Sequence, residues 1–200
     1  MGDIEHLQFG LETFGDIVAN EDGSLQTAAA SIRQIVREGK LADDLGIDVF
    51  GVGEHHRPDY SVSSPETVLA AISAVTKQVK LATAVTVLSS DDPVRVYERF
   101  ATLDALSNGR AQVMLGRGSF TESFPLFGYD LTDYDDLFNE KLGLYDALRN
   151  EKAVTWSGKF RAALKNQEVY PKTENGKLET YIGIGGSPES VIRAVNVGYK

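Results

Sequence analysis

Val49-Phe50-Gly51-Val52-Gly53-Glu54-His55-His56 is the stretch from which the rest of the sequence is read. Its apolar run at 49–52 is bounded by glycine and has the length of a buried strand rather than of a helix. A strand interior offers no water to solvate one acid and two imidazoles, so Glu54, His55 and His56 are expected at the strand's C-terminal mouth. A short, continuously apolar strand of this kind belongs in a parallel sheet covered by helices.

Working outward, residues 7–14 alternate well enough for a first strand, and 15–24 are rich in Gly, Asp and Asn and read as loop. Ile32, Ile35, Val36, Ala42 and Leu45 recur at helical spacing over 27–45, with Gly46 placed for a left-handed cap. Ser64-Pro65-Glu66 supplies an N-cap hydroxyl, a first-turn proline and an acid at the positive helix end, followed by a stripe of Val68, Leu69, Ile72 and Val75. Residues 79–88 read as a third strand. Asp92-Pro93 opens a helix with Val94, Tyr97, Phe100, Ala101 and Leu106 facing inward, stopped by Asn108-Gly109 before a fourth strand at 111–115. After a polar and aromatic excursion, Phe138, Leu142, Tyr145 and Leu148 stripe a helix over 133–149. Trp156 to Phe160 reads as a small hairpin or flap, 180–184 as a fifth strand, and Ser187-Pro188-Glu189 as another helix start running to Gly198.

Strands alternating with helices demand crossovers, hence an α/β fold with parallel pairing. The first strand lacks the glycine fingerprint of a doubly wound dinucleotide domain, whereas the unusual residues fall at strand C-termini, where a (β/α)8 TIM-type barrel places its chemistry. The expectation is one barrel domain over residues 1–200 with about five βα units, three short of closure. Open strand edges make dimerisation an expectation as well.

Composition narrows the function. A formal net charge of −9 without a local Lys/Arg cluster disfavours nucleic acid and anionic membrane surfaces. Zero cysteines remove disulfides, thiolate ligands and thiol nucleophiles, and with no signal-like start a cytoplasmic protein is expected.

Three strand ends carry candidate chemistry: Glu54-His55-His56, Gly116-Arg117-Gly118-Ser119 and Gly185-Gly186-Ser187. The last suits a phosphate at a helix start, and equally a plain glycine turn before a capped helix. Arg117 offers a rigid fork for phosphate, and equally an ion pair with a helix acid. Adjacent strand residues face opposite ways, so His55 and His56 do not chelate one metal; one histidine at a strand mouth suits proton transfer, with Glu54 orienting its neighbour.

Taken together, Glu54-His55-His56, the run Ala82-Thr83-Ala84-Val85-Thr86-Val87-Leu88, Asp92-Pro93-Val94-Arg95, Asp104-Ala105-Leu106-Ser107-Asn108-Gly109-Arg110 and Gly116-Arg117-Gly118 resemble the bacterial luciferase-like flavin-dependent monooxygenases. The resemblance implies a barrel that binds reduced FMN, supplied by a separate flavin reductase, and uses O2 to oxygenate a small-molecule substrate. It implies His55 as the proton-handling residue, Arg117 with Gly118 and the Gly185-Gly186-Ser187 loop around the flavin phosphate, and a bulge at Ala84-Val85, often a non-prolyl cis peptide, under the ring. Gly116 stands where a luciferase has cysteine, so light emission is not expected. Alternatives on the same scaffold are a deazaflavin-dependent hydride-transfer enzyme and a non-catalytic flavin-binding partner in a dimer. A homodimer matches the family habit.

Overall fold

The computed structural model describes residues 7–174, 176–184, 192, 195 and 199. Its elements in chain order are β1 (Gly10–Thr13), α1 (Ala28–Asp44), β2 (Val49–Val52), α2 (Pro65–Ser73), β3 (Lys80–Thr83), β4 (Thr86–Val87), α3 (Pro93–Ser107), β5 (Gln112–Gly116), α4 (Ser123–Phe127), α5 (Tyr134–Asn150), β6 (Val154–Trp156), β7 (Leu164–Gln167) and β8 (Glu179–Ile182). The expected helix start at 187–189 lies outside the described residues, and of its run to Gly198 only Ile192 and Val195 are described, both helical.

β1, β2 and β3 pair in parallel, as do β4, β5 and β8. A parallel bridge between Leu81 and Ala111 joins the two groups, so five strand positions run side by side in chain order. That order distinguishes the winding. A doubly wound sheet places its first strand in the interior and reverses direction there, whereas among the described strands β1 lies at an edge and the others follow it in chain order to one side, as in a TIM-type barrel. The helices follow suit, α1 packing on α2, α2 on α3 and α3 on α5.

Local chemistry accounts for the helix ends. The Thr27 hydroxyl accepts from Ala30 N–H and the Asp92 carboxylate from Val94 and Arg95 N–H, satisfying orphan first-turn donors. Asn108 and Gly109 adopt left-handed φ of 58° and 81° and stop α3 where expected. Ser64 departs from expectation: it stands at the N-cap of α2 but its side chain makes no capping bond, leaving Pro65 and Glu66 to define that start. The core is continuous from Val52, Leu69 and Ile72 through Phe100 and Val113 to Phe138 and Tyr145.

Two further expectations are corrected. The strand at 79–88 is interrupted: β3 ends at Thr83 and β4 begins at Thr86, with a cis Ala84–Val85 peptide between them. Leu45, Val75 and Leu106 are exposed. Leu45 and Val75 lie beyond the last turn of their helices, and Leu106 falls on the outer face of α3, so periodicity extended each stripe one turn too far. The flap after α5 is an antiparallel β6–β7 pair with Phe160 in its connection. No helix among the described residues is long and apolar enough to cross a membrane.

Candidate functional site

The C-terminal ends of β1, β2, β4, β5 and β8 surround a cavity of about 600 Å³. β2 delivers its histidine there by continuing the ladder past its last strand residue. Gly53 N–H donates to Thr13 O at 2.9 Å and His55 N–H to Val62 O at 2.9 Å, fixing the His55 backbone between two segments. The His55 ring is then fixed separately. Its Nδ1 lies 3.2 Å from Phe14 O, and a carbonyl can only accept, so Nδ1 carries the hydrogen and neutral His55 keeps its lone pair on Nε2. Tyr60 stacks on the imidazole at 4.0 Å between centroids, with Phe14 and Phe120 presenting edges at 5.9 and 5.5 Å.

Burial among these rings pushes the His55 pKa below its ordinary value, against the opposing pull of the Phe14 carbonyl and of Asp16, Glu54 and Asp59. His55 is therefore neutral near pH 7. Behind it, the Arg57 guanidinium lies 4.4 Å over the Phe120 ring and bonds to Asp59 at 2.9 Å and Glu122 at 2.7 Å, clasping the loop after β2 to the segment after β5.

Glu54 has a different partner from the one expected. His56 Nε2–H donates to its Oε1 at 3.0 Å and Val87 N–H to its Oε2 at 2.9 Å. The carboxylate thus orients His56, not His55, and ties the end of β2 to β4 while still lining the cavity. His56 turns the other way, its ring edge-on to Phe127 at 5.1 Å. Opposite pointing of adjacent residues at a strand end explains the division.

The cavity floor is built from small residues around Ala84 and Val85. A Cβ at Gly116 would lie 2.5 Å from Val85 Cγ2, and one at Gly183 would lie 2.7 Å from Val85 Cγ1. Glycine on β5 and after β8 therefore lets Val85 sink between the two strands. Gly116→Ala is expected to overpack this seat and lower stability by about 1–3 kcal/mol, read as a reduced urea midpoint. An unchanged midpoint would mean that Val85 moves aside at no cost.

At the far side, Arg117 Nη1 donates to Asp135 Oδ1 on α5 at 2.8 Å, and its guanidinium stands 5.3 Å from the Tyr134 ring. The helix-acid pairing is thus present. Gly118, at φ +83°, packs a would-be Cβ position 3.0 Å from Val87 and offers its carbonyl to Tyr134 Oη–H at 3.1 Å. Lys141, buried in α5, donates to Ser89 O at 2.7 Å and lies 3.8 Å from the Tyr129 ring, binding the wall to the segment after β4. Burial lowers its pKa to about 8 despite Asp91, Asp92 and Glu140 nearby.

Glu54, His55, Ala84, Val85, Gly116, Arg117, Gly118 and Ser119, all singled out from sequence, line this cavity. Gly185, Gly186 and Ser187 lie outside the described residues, although Gly183 and Ile184 just before them line the cavity. Sequence reasoning missed Glu12, Phe14, Tyr60 and Phe120. Only Glu12 carried a signal, an acid inside a short apolar strand pattern. Among the described residues no three His, Asp or Glu side chains gather as a metal site.

The winding and this glycine-floored, histidine-walled cavity at the strand C-termini define a barrel-type α/β enzyme scaffold. The family model for luciferase-like monooxygenases matches residues 13–200, and the chain belongs to that family. It is 29% identical over 180 residues to the N-acetyl-S-alkylcysteine monooxygenase of Bacillus subtilis, covering 88% of this chain and 52% of that protein. It superposes with TM-score 0.81 and 20% identity on the oxygenating constituent of 3,6-diketocamphane monooxygenase from Pseudomonas putida, solved with FMN, covering 96% of this chain and 56% of that one. A coenzyme F420-dependent secondary alcohol dehydrogenase shares the fold at TM-score 0.72 and 23% identity, with 94% and 55% covered. The chain spans about half of these relatives.

Proposed function

We propose that the cavity is the active site of a flavin-dependent monooxygenase that binds reduced FMN and uses O2 on a small organic substrate. One observation carries the reading: His55 and the Ala84–Val85 floor share a single cavity of about 600 Å³, within the range of cofactor sites. The residues present fit a flavin. The apolar floor of Ala84 and Val85, seated between Gly116 and Gly183, suits an aromatic ring, the Phe14, Tyr60 and Phe120 wall is aromatic, and Arg117 with Gly118 provides a cation and a glycine backbone for a phosphate. The relative solved with FMN supports the choice of cofactor.

Bound reduced FMN would supply the electrons that activate O2. The chain itself supplies the proton handling. Nδ1–H of His55 is engaged by Phe14 O, so Nε2 is the atom that takes or returns a proton. The aromatic rings around it and the Arg57 clasp limit water access on that side. Glu54 acts as a positioning residue for His56 and Val87. On this reading the described strands form the first five units of an eight-unit barrel in a single domain. The protein works in the cytoplasm as a homodimer and takes its reduced flavin from a separate reductase.

A second reading, deazaflavin-dependent hydride transfer, rests on the fold shared with the F420-dependent dehydrogenase. Anaerobic titration with reduced FMN and with a reduced deazaflavin, followed by admission of air, separates the two. The expected result is saturable FMN binding and oxygen uptake. Binding of the deazaflavin alone, with no oxygen uptake, would replace the first reading by the second, and binding of neither would end both.

A further inference from the structure

Four carboxylate, imidazole or guanidinium side chains line the cavity: Glu12, Glu54, His55 and Arg117. Three have protein partners: Glu54 holds His56 and Val87 N–H, His55 holds Phe14 O, and Arg117 holds Asp135. The fourth, Glu12, makes no hydrogen bond or ion pair within the described residues. Glu12 is exposed on the edge strand, and its place in the sheet sets which way it faces. On β1 it pairs opposite Gly51, and a Cβ at Gly51 would lie 3.2 Å from Glu12 Cβ and 3.3 Å from Ala84 Cβ. The glycine at 51 therefore leaves the Glu12 side chain room beside the Ala84 edge of the floor. Phe14, two residues further along β1, lies on the same side of the strand and lines the same cavity.

A carboxylate beside an aromatic ring is the complement of an alkylammonium group, which is met by a charge-assisted hydrogen bond on one side and a ring face on the other. An anionic substrate would instead bring a third carboxylate next to Glu12 and Glu54, while on the flavin reading the Arg117 guanidinium serves the flavin phosphate. Resting on the monooxygenase reading, we infer that the substrate carries a protonated amine and that Glu12 is the residue that selects it.

The test uses three probes of similar shape and different charge: benzylamine, benzyl alcohol and benzoate. Each is titrated calorimetrically at pH 7 into the wild-type chain and into Glu12→Gln, with and without FMN. Benzylamine is expected to bind the wild type more tightly than either other probe and to weaken about tenfold or more in Glu12→Gln. Benzyl alcohol should be indifferent to the substitution, and benzoate should bind the variant better than the wild type. Glu12→Asp, which keeps the charge, should recover part of the benzylamine affinity and guards against a folding defect in the amide variant. Equal benzylamine affinity in wild type and Glu12→Gln, a wild-type preference for benzoate, or no benzylamine binding would overturn the inference. FMN binding without amine selectivity would overturn it alone, whereas amine selectivity without FMN binding would overturn the flavin reading and leave Glu12 as an ammonium site.

Discussion

His55→Ala is expected to bind FMN within a few-fold of the wild type yet to turn over about 100- to 10,000-fold more slowly, the range typical for loss of a positioned proton-transfer group. The expectation follows from how the ring is held. Its Nδ1–H is engaged by Phe14 O and one face is covered by Tyr60, so the side chain adds little to the floor on which the flavin would rest and contributes mainly a proton site at Nε2. A matched pH profile adds a second readout. Burial places the imidazole below its ordinary value of about 6.5. A base is active only when unprotonated, so the acid limb of kcat/KM should fall at a lower pH than a solvated histidine would give, and it should vanish in His55→Ala. Unchanged turnover would remove His55 from the chemistry. Loss of flavin binding together with turnover would assign it a packing role.

The second large effect concerns stability at the opposite end of the sheet. Asp43→Ala is expected to lower the unfolding free energy by about 3 kcal/mol, measured as a shift of the urea transition at pH 7. Asp43, buried near the end of α1, accepts from the backbone N–H groups of Lys77, Gln78 and Val79 at 3.0, 2.7 and 2.8 Å. Arg110 closes the same turn from the other side, donating to Thr76 Oγ1, Val79 O, Ser73 O and Thr76 O. Removing the carboxylate leaves three donors short of a partner where water has poor access. Burial alone pushes the Asp43 pKa up, but the three N–H donors and Arg110 outweigh it and hold the group below the ordinary carboxyl value. Its contribution is therefore complete above the unfolded-state value of about 3.9, and it is lost as the pH falls through the lower folded value. The wild-type advantage over Asp43→Ala should stay constant from pH 7 to pH 5 and shrink only in stronger acid. A difference that instead shrinks between pH 7 and pH 5 would mean another group is responsible.

The order of strands and helices, the helix start at Asp92-Pro93 and stop at Asn108-Gly109, and the placement of Glu54, His55 and Arg117 at strand ends could all be read from the sequence, because each depends on neighbours within a turn or two. The packing role of glycine at 116 and 183 and the aromatics at 14, 60 and 120 carry no such local signature, and the acid at 12 shows only as a charge inside a short apolar strand pattern. Each takes its meaning from a residue distant in the chain: Val85 for the two glycines, His55 for Phe14, Tyr60 and Phe120, and the gap over Gly51 for Glu12. The same holds for the partner of Glu54. A carboxylate between two imidazoles at a strand end has no local preference, and only the position of Val87 N–H across the sheet turns it toward His56.

For this protein the sequence alone determined a parallel α/β chain of strand-helix units and the strand mouth where Glu54, His55 and His56 gather, since hydrophobic period and capping are properties of short windows. Only the tertiary structure decided that β1 lies at an edge of the described strands wound in one direction, that Val85 sinks between Gly116 and Gly183, and that Glu54 turns to His56 while Phe14, Tyr60 and Phe120 surround His55. Those outcomes depend on which surfaces meet when five parallel strands stack side by side, and contacts between residues far apart in the chain leave no periodic trace in it.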